Sequence, residues 1–104
     1  MSTQTLALMD LTDNEFLRQF ETTIDGKLAK VEYSLQERKI FLTKLNIPEE
    51  VHTEEIQDEF LRTVFDEVKS RGIKLVPTNR EISKFMKKNR REYRDLLPVG
   101  MALR

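Results

Sequence analysis

The strongest hydrophobic pattern in the chain predicts one long amphipathic helix, which begins after Thr53 and runs to Ser70. Apolar side chains recur in it every three or four residues, so they share one helical face. That face consists of Ile56, Phe60, Leu61, Val64, Phe65 and Val68. Thr53 is a good N-cap residue, and Gly72 supplies the left-handed conformation that ends many helices. We therefore expect this helix to carry the core of the protein.

Alternating apolar and polar residues predict strands on both sides of the helix. The clearest strand runs from Lys27 to Leu35 and puts an apolar residue at every second position. Its apolar face is Ala29, Val31, Tyr33 and Leu35. The other predicted strands are Glu15–Glu21, Lys39–Leu45 and Ile73–Val76.

The connections between these segments predict how they are arranged. Asp25-Gly26 is a hairpin signal and Gln36–Arg38 is a short turn, so the first three strands should form an antiparallel meander. The long helix then crosses over to the fourth strand, which ends at Pro77. A second helix, Arg80–Lys88, follows it, with Ile82, Phe85 and Met86 as the buried face, and a short turn, Arg91–Leu97, comes last.

Together these elements predict an α/β fold of the α+β kind. Its features are a mostly antiparallel sheet, one long central helix and a second helix after the last strand. The 104 residues suffice for one domain with a modest core. We expect this domain to span residues 14–97, between a loosely ordered tail at 1–13 and a C-terminal tail at 98–104.

Composition excludes several kinds of chemistry. The chain has no cysteine, so it contains neither a disulfide nor a thiolate nucleophile. It has one histidine, His52, so a histidine cluster for a metal is not possible and no metal cofactor is expected. Apolar runs are only a few residues long and a signal-peptide pattern is missing, which predicts a cytoplasmic protein without a membrane partner.

Charge is unevenly distributed along a chain that is neutral by formal count. Residues 1–68 hold 7 Lys and Arg against 15 Asp and Glu, whereas residues 69–104 hold 11 against 3. The basic run is Lys84, Lys87, Lys88, Arg90, Arg91 and Arg94. It could be a solvated helix face that attracts the acidic half of the chain, or a surface that meets phosphate. No aromatic residue separates these cations before Tyr93, so a nucleic-acid partner is not expected.

The order of three motifs resembles the short single-domain branch of the GNAT N-acetyltransferase superfamily, the YjdJ-type domain. The motifs are Ile47-Pro48-Glu49-Glu50-Val51 before the long helix, Ile73-Lys74-Leu75-Val76-Pro77 after it, and Glu92-Tyr93-Arg94-Asp95-Leu96-Leu97 near the end. The resemblance covers about residues 15–97. It implies acetyl transfer from acetyl-CoA to an amine on a small molecule or a protein, with the acceptor undefined.

The resemblance also implies where acetyl-CoA would bind. In the family, the cofactor lies where two strands separate, and its pyrophosphate lies on a Gly-x-Gly turn at the start of the long helix. The implied cofactor-binding residues are Leu45, Ile47, Val51, Thr53, Glu54, Glu55, Ile56, Asn79, Lys84 and Lys88. Short members carry a cysteine facing the thioester, and Asn79 stands at that position, which makes it the implied catalytic residue.

Two departures from the family pattern leave the function open. Thr53, Glu54 and Glu55 replace the glycine turn, which puts two carboxylates where an anion should bind and predicts weak CoA binding. Asn79 can donate a hydrogen bond but cannot act as a nucleophile. The residues therefore fit an acetyltransferase with an altered loop, a non-catalytic relative that has lost CoA binding, or a small nucleic-acid-associated protein. They also fit plain structural roles, with Thr53 and Asn79 as helix caps and the glutamates as first-turn acids.

Overall fold

A five-stranded sheet in chain order forms the base of the molecule. The computed structural model describes residues 9–101. The strands are β1 (Thr12–Asn14), β2 (Gln19–Ile24), β3 (Lys27–Gln36), β4 (Lys39–Asn46) and β5 (Lys74–Pro77). β1 to β4 pair antiparallel with their neighbours, and β5 pairs parallel with β4. The predicted meander and crossover are therefore present.

Helix α1 (Glu54–Arg71) connects β4 to β5 and packs on one face of the sheet. The Thr53 hydroxyl accepts a hydrogen bond from the Ile56 N–H at 3.0 Å, and Gly72 ends the helix at a φ of 72°. Five side chains of the predicted apolar face are fully buried: Phe60, Leu61, Val64, Phe65 and Val68. Ile56, in the first turn, is only half-buried. The helix thus carries the core, as its pattern predicted.

Helix α2 (Arg80–Lys88) and the short helix α3 (Arg90–Tyr93) pack beside α1. Ile82, Phe85 and Met86 are buried, and the Phe85 ring meets the Phe65 ring edge-on at 5.1 Å. A 3₁₀ turn at Arg94–Leu96 follows α3. Helix α3 and this 3₁₀ turn together occupy the region in which a short turn at 91–97 was predicted. The aromatic contact packs α2 against α1.

The prediction of a strand at Glu15–Glu21 is wrong in its first half. Residues 15–18 form a turn, and the strand begins at Gln19 and continues to Ile24. The Asn14 side-chain oxygen accepts a hydrogen bond from the Leu17 N–H at 3.1 Å, which stabilises the turn against an extended chain. Phe16, expected on a strand face, is 92% exposed.

The end of the predicted N-terminal tail takes part in the sheet. Thr12–Asn14 pairs with Glu21–Gln19 as β1, and the Thr22 hydroxyl donates to the Asp10 carbonyl oxygen at 2.6 Å. Residues 1–8 and 102–104 lie outside the described residues, so the outer parts of both predicted tails stay predictions. Nothing among residues 9–101 tests the domain bounds themselves.

The two faces of the sheet differ as the alternation in β3 predicted, except at its end. Ala29, Val31 and Tyr33 lie in the core under the helices, whereas Leu35 is 47% exposed at the sheet margin. The opposite face is polar, with Lys30 and Glu32 forming an ion pair at 3.7 Å. Antiparallel sheets commonly leave one face in water in this way.

A β-bulge in β4 lies next to the point where its pairing with β5 ends. Glu32 pairs with Lys44 but the next residue, Tyr33, pairs with Leu42, so Thr43 is an extra residue in β4. β4 and β5 stay paired only as far as Leu42 and Pro77. Beyond that point β4 continues to Asn46 without a β5 partner. The sheet therefore opens next to the start of α1.

Candidate functional site

A small cavity lies where β4 and β5 separate. It has a volume of about 170 Å³ and is lined by Leu45, Ile47, His52, Gln57 and Glu81. Leu45 and Ile47 extend from the end of β4, and the other three belong to the loop, α1 and α2. The Thr78 N–H and hydroxyl both donate to the Leu42 carbonyl oxygen at 3.1 Å, which is the last link between the strands. The cavity therefore begins just past the separation point.

A second cavity of about 230 Å³ adjoins the first and shares Gln57 and Glu81 with it. It runs between α1 and α2. The other residues that line it are Glu54, Asp58, Lys84, Phe85 and Lys88. We call the two cavities together the splay groove. The groove brings together Leu45, Ile47, Glu54, Lys84 and Lys88, five of the ten residues that the family resemblance implied for a cofactor.

The start of α1 presents backbone donors beside the groove. Thr53 satisfies the Ile56 N–H, but within residues 9–101 the N–H groups of Glu54 and Glu55 have no hydrogen-bond acceptor. A helix N-terminus with free N–H groups attracts anions. The side chains oppose this attraction, because Glu54 lines the groove and both glutamates are exposed.

Asn79 caps α2, which is the structural role that the sequence predicted for it. Its side-chain oxygen accepts from the Glu81 N–H at 2.9 Å and from the Ile82 N–H at 3.2 Å. The amide NH₂ has no acceptor among residues 9–101. Asn79 follows Thr78 directly, but it lines neither cavity of the splay groove.

The remaining implied residues lie outside the splay groove. Val51 is in the 3₁₀ turn Glu49–Val51, and Glu55 does not line either cavity. Ile56 lines a different groove of about 570 Å³ on the other side of the first turn of α1, together with Ile24 and Leu28 of the β2–β3 hairpin. The structure thus splits the implied set between the groove, the helix start and the neighbouring surface.

Charges in the splay groove nearly cancel. Lys88 donates to the Asp58 carboxylate at 2.7 Å, and this hydrogen bond raises the pKa of Lys88. Glu54 and Glu81 face Lys84, which has no carboxylate partner within the described part of the chain. Groups of three or more metal-ligating side chains do not occur among residues 9–101. The groove is therefore a mixed-charge site with one unpaired lysine.

Sequence reasoning missed four lining residues. They are His52, Gln57, Asp58 and Glu81. Helical spacing carried a signal for the last three, because positions 54, 57 and 58 share one face of α1 and positions 81, 84, 85 and 88 share one face of α2. What the sequence did not show is that these two faces meet.

Comparison with known proteins identifies the family. The family model described as GCN5-related N-acetyl-transferase matches residues 19–96. The chain belongs to the GCN5-related N-acetyltransferase family. The superfamily prediction is therefore confirmed, while the YjdJ-type subdivision stays a prediction.

A solved structure supports the same fold. The NMR solution structure of a GCN5-like N-acetyltransferase candidate from Staphylococcus aureus matches with a TM-score of 0.63. The match covers 90% of this chain and 91% of that chain at 15% sequence identity, so it shows the fold alone. The predicted fold class is confirmed.

No curated protein matches the chain. None of the helices among residues 9–101 is long and apolar enough to cross a membrane.

Proposed function

We propose that this member of the GCN5-related N-acetyltransferase family binds acetyl-CoA in the splay groove and transfers the acetyl group to an amine. The observation that carries the proposal is the separation of β4 from β5 after Leu42, next to the N-termini of α1 and α2. This geometry offers an open groove with two apolar side chains, Leu45 and Ile47, for a flexible arm, and backbone N–H groups for phosphate at the start of α1.

The residues present fit the two ends of acetyl-CoA unequally. Leu45 and Ile47 give the inner cavity apolar walls suited to the pantetheine arm. At the outer end, the N–H groups of Glu54 and Glu55 suit a pyrophosphate, whereas their carboxylates repel it. Lys84 and Lys88 of α2 line the same cavity, where Lys88 is paired with Asp58, so Lys84 is the cation that remains for a phosphate.

The chemistry requires few catalytic groups from the protein. Acetyl-CoA supplies the thioester, whose C–S bond breaks as the amine nitrogen bonds to the carbonyl carbon, so that CoA leaves as the thiol and the amine loses a proton. This chain contributes positioning and a side-chain donor. The free NH₂ of Asn79 is the side-chain donor that we assign to the thioester end, in place of the family cysteine.

The first prediction concerns the two carboxylates at the start of α1. Each should weaken phosphate binding by on the order of 1 kcal/mol, since both are exposed and close to the helix N-terminus. We expect weak CoA binding by the native chain, and about tenfold or greater gain in affinity for Thr53→Gly, Glu54→Gln, Glu55→Gly. Calorimetric titration with CoA and acetyl-CoA measures both proteins in one buffer.

Two further variants separate charge from backbone effects. Glu54→Gln, Glu55→Gln removes the charge but keeps the Thr53 cap, and we expect it to recover most of the gain. Glu15→Gln, Glu37→Gln removes two carboxylates in turns at the opposite end of the sheet, and it should bind CoA as the native chain does. Equal gains from both double variants would show that net charge, rather than the site, controls binding.

The alternative is a non-catalytic relative that kept the fold and lost the cofactor. Glu54 in the groove is the observation that favours it, because a carboxylate there opposes an anionic ligand. If the glycine variant and the native chain both fail to bind CoA, the groove does not serve this cofactor and the non-catalytic function holds.

A further inference from the structure

Two polar side chains belong to both cavities of the splay groove, one from each of the helices that flank it. Gln57 of α1 and Glu81 of α2 line the inner cavity beside Leu45 and Ile47, and both also line the cavity between the helices. A ligand that occupies both cavities therefore passes these two side chains. We call Gln57 and Glu81 the groove pair.

The side-chain amide of Gln57 is held by a neighbouring residue. Gln57 is half-buried, and its side-chain oxygen accepts a hydrogen bond from the Nε2–H of His52 at 2.8 Å. An amide oxygen only accepts hydrogen bonds and an amide NH₂ only donates them, so this contact leaves the NH₂ as the free end. The NH₂ has no acceptor among residues 9–101. It is the group that Gln57 offers to a ligand in the groove.

Glu81 offers the opposite kind of hydrogen-bonding group. Its backbone N–H donates to the Asn79 side-chain oxygen at 2.9 Å, which fixes the residue at the start of α2. Its carboxylate is exposed and forms no ion pair within the described part of the chain. An ionised carboxylate only accepts hydrogen bonds. The groove pair therefore presents a donor on α1 and an acceptor on α2.

We propose that the groove pair recognises an amide group of the pantetheine arm of CoA, with Gln57 donating to the amide oxygen and Glu81 accepting from the amide N–H. The inference rests on the proposed function, because it assigns a contact to the same cofactor. The arm carries secondary amides between aliphatic segments, and an amide that leaves water needs a partner for each of its polar groups. A trans amide points its oxygen and its N–H in opposite directions, which suits partners on two different helices.

The absence of charge on an amide distinguishes this role from phosphate binding. Glu54 and Glu81 both line the cavity between the helices, where their carboxylates oppose an anionic group. An amide is neutral, so a carboxylate attracts its N–H without repelling the group as a whole. Glu81 is thus unfavourable for the phosphates of CoA and favourable for its arm.

Titrations with two probes, followed by NMR so that weak binding is measured, test the groove pair. One probe is CoA, and the other is 3′-phosphoadenosine 5′-diphosphate, which keeps the phosphates of CoA and lacks the arm. The affinity for CoA divided by the affinity for the second probe is the arm contribution. We expect Gln57→Leu and Glu81→Leu each to lower it by about three- to tenfold, because each removes one hydrogen bond. Glu81→Gln should keep it, since an amide oxygen still accepts.

Gln36→Leu is the matched control for Gln57→Leu. Gln36 is exposed and pairs with Lys39 beside the β3–β4 turn, at the opposite end of β4 from Leu45, so the variant should keep the native arm contribution. A second readout is the side-chain NH₂ signal of Gln57, which is assigned by its loss in Gln57→Leu. CoA should shift this signal and the arm-less nucleotide should not, a difference that a purely structural role of Gln57 would not produce.

The outcomes separate this inference from the function on which it rests. A smaller arm contribution in Gln57→Leu and Glu81→Leu, with Gln36→Leu and Glu81→Gln unchanged, supports the inference. An unchanged arm contribution in either leucine variant of the groove pair, or an equal fall in Gln36→Leu, overturns it, while CoA binding itself leaves the proposed function standing. If neither the native chain nor the triple variant at the start of α1 binds CoA, both are overturned.

Discussion

At the scale of single residues, both tyrosines of the chain donate their hydroxyl hydrogen to an aspartate away from the splay groove. Tyr33 donates to Asp13 at 2.6 Å and Tyr93 donates to Asp66 at 2.8 Å. Burial and then the hydrogen bond to Asp13 raise the pKa of Tyr33 to about 12, and the same causes, with Asp66, raise the pKa of Tyr93. Neither phenol is therefore placed to protonate a leaving thiolate.

These paired phenols predict how stability changes in alkali. Below about pH 10 both the folded and the unfolded chain keep Tyr33 neutral, so its full contribution is present. As pH rises, the unfolded chain ionises first, and the free energy of unfolding falls until the folded phenol ionises near about 12, a loss of about 2–3 kcal/mol from Tyr33. Urea titrations at about pH 9 and about pH 11 measure the fall.

Tyr33→Phe keeps the ring in the core and removes the hydroxyl, so its stability should fall less between these pH values than that of the native chain. Ultraviolet titration provides a second readout, because the chain has only two tyrosines. A full equivalent of phenolate forming near about pH 10 in the folded protein would contradict the assignment.

The same scale shows which site residues the sequence could reveal. Thr53 and Asn79 were interpreted as caps from their residue type and position, and both accept the predicted hydrogen bonds. These roles depend on neighbours within three residues, so local sequence carries them. Glu81 and Gln57 meet in one cavity only because α2 folds back onto α1, which no local pattern specifies.

At the scale of elements, α1 joins all other parts of the core. Phe60 is fully buried in its middle, within a cluster that includes Val31 and Leu42 of the sheet and Met86 of α2. We expect Phe60→Ala to lower the free energy of unfolding by about 3–5 kcal/mol, because a buried ring is lost and a cavity is left. Urea-induced unfolding, followed by far-ultraviolet circular dichroism, measures the difference.

Glu55→Ala is the matched control for this helix, since Glu55 is exposed in the first turn. Its effect should stay within about 0.5 kcal/mol. If Phe60→Ala were as mild as this control, the apolar face of α1 would not be the buried one.

Helix α1 was predictable because its pattern is long and its stop signals are local. Five turns of apolar spacing and Gly72 leave few alternatives. The segment around Phe16 was not predictable, because seven residues of mixed apolar pattern suit a strand as well as a turn. The hydrogen bond to the Asn14 side chain stabilises the turn, and the positive φ of Arg18, 57°, is incompatible with an extended strand there. The Thr43 bulge depends on pairing between strands, which the chain does not show before it folds.

At the scale of the whole molecule, the uneven charge along the chain is partly neutralised by folding. Lys88 pairs with Asp58 at 2.7 Å, and Arg71 pairs with Asp13 at 2.9 Å. Both pairs join the basic C-terminal part of the chain to its acidic N-terminal part. The two halves therefore attract each other across the fold. This agrees with the first of the two interpretations of the charge pattern, in which the basic run attracts the acidic half of the chain.

The remaining basic side chains on α2 and α3 raise the question of a polyanionic partner. Lys87, Arg90 and Arg91 are exposed and line a shallow cavity of about 400 Å³ with Lys88 and Glu92. We expect no retention on heparin or DNA, even at low ionic strength. The reason is that the chain is neutral by formal count, that Glu92 lines the cavity with these cations, and that Glu54 and Asp58 line another cavity that includes Lys88.

Heparin and DNA chromatography over a salt series measures this directly, with Lys87→Gln, Arg90→Gln, Arg91→Gln as the variant that removes the basic surface. A protein that bound phosphate through these residues would elute later at low salt, and the variant would lose that delay, because each neutralised phosphate releases counterions and makes binding salt-dependent. Equal elution of native and variant proteins agrees with a solvated surface. A complex that persists at physiological salt and disappears in the variant would contradict this expectation and favour the nucleic-acid function. It would show that the acidic half of the chain does not repel a long polyanion.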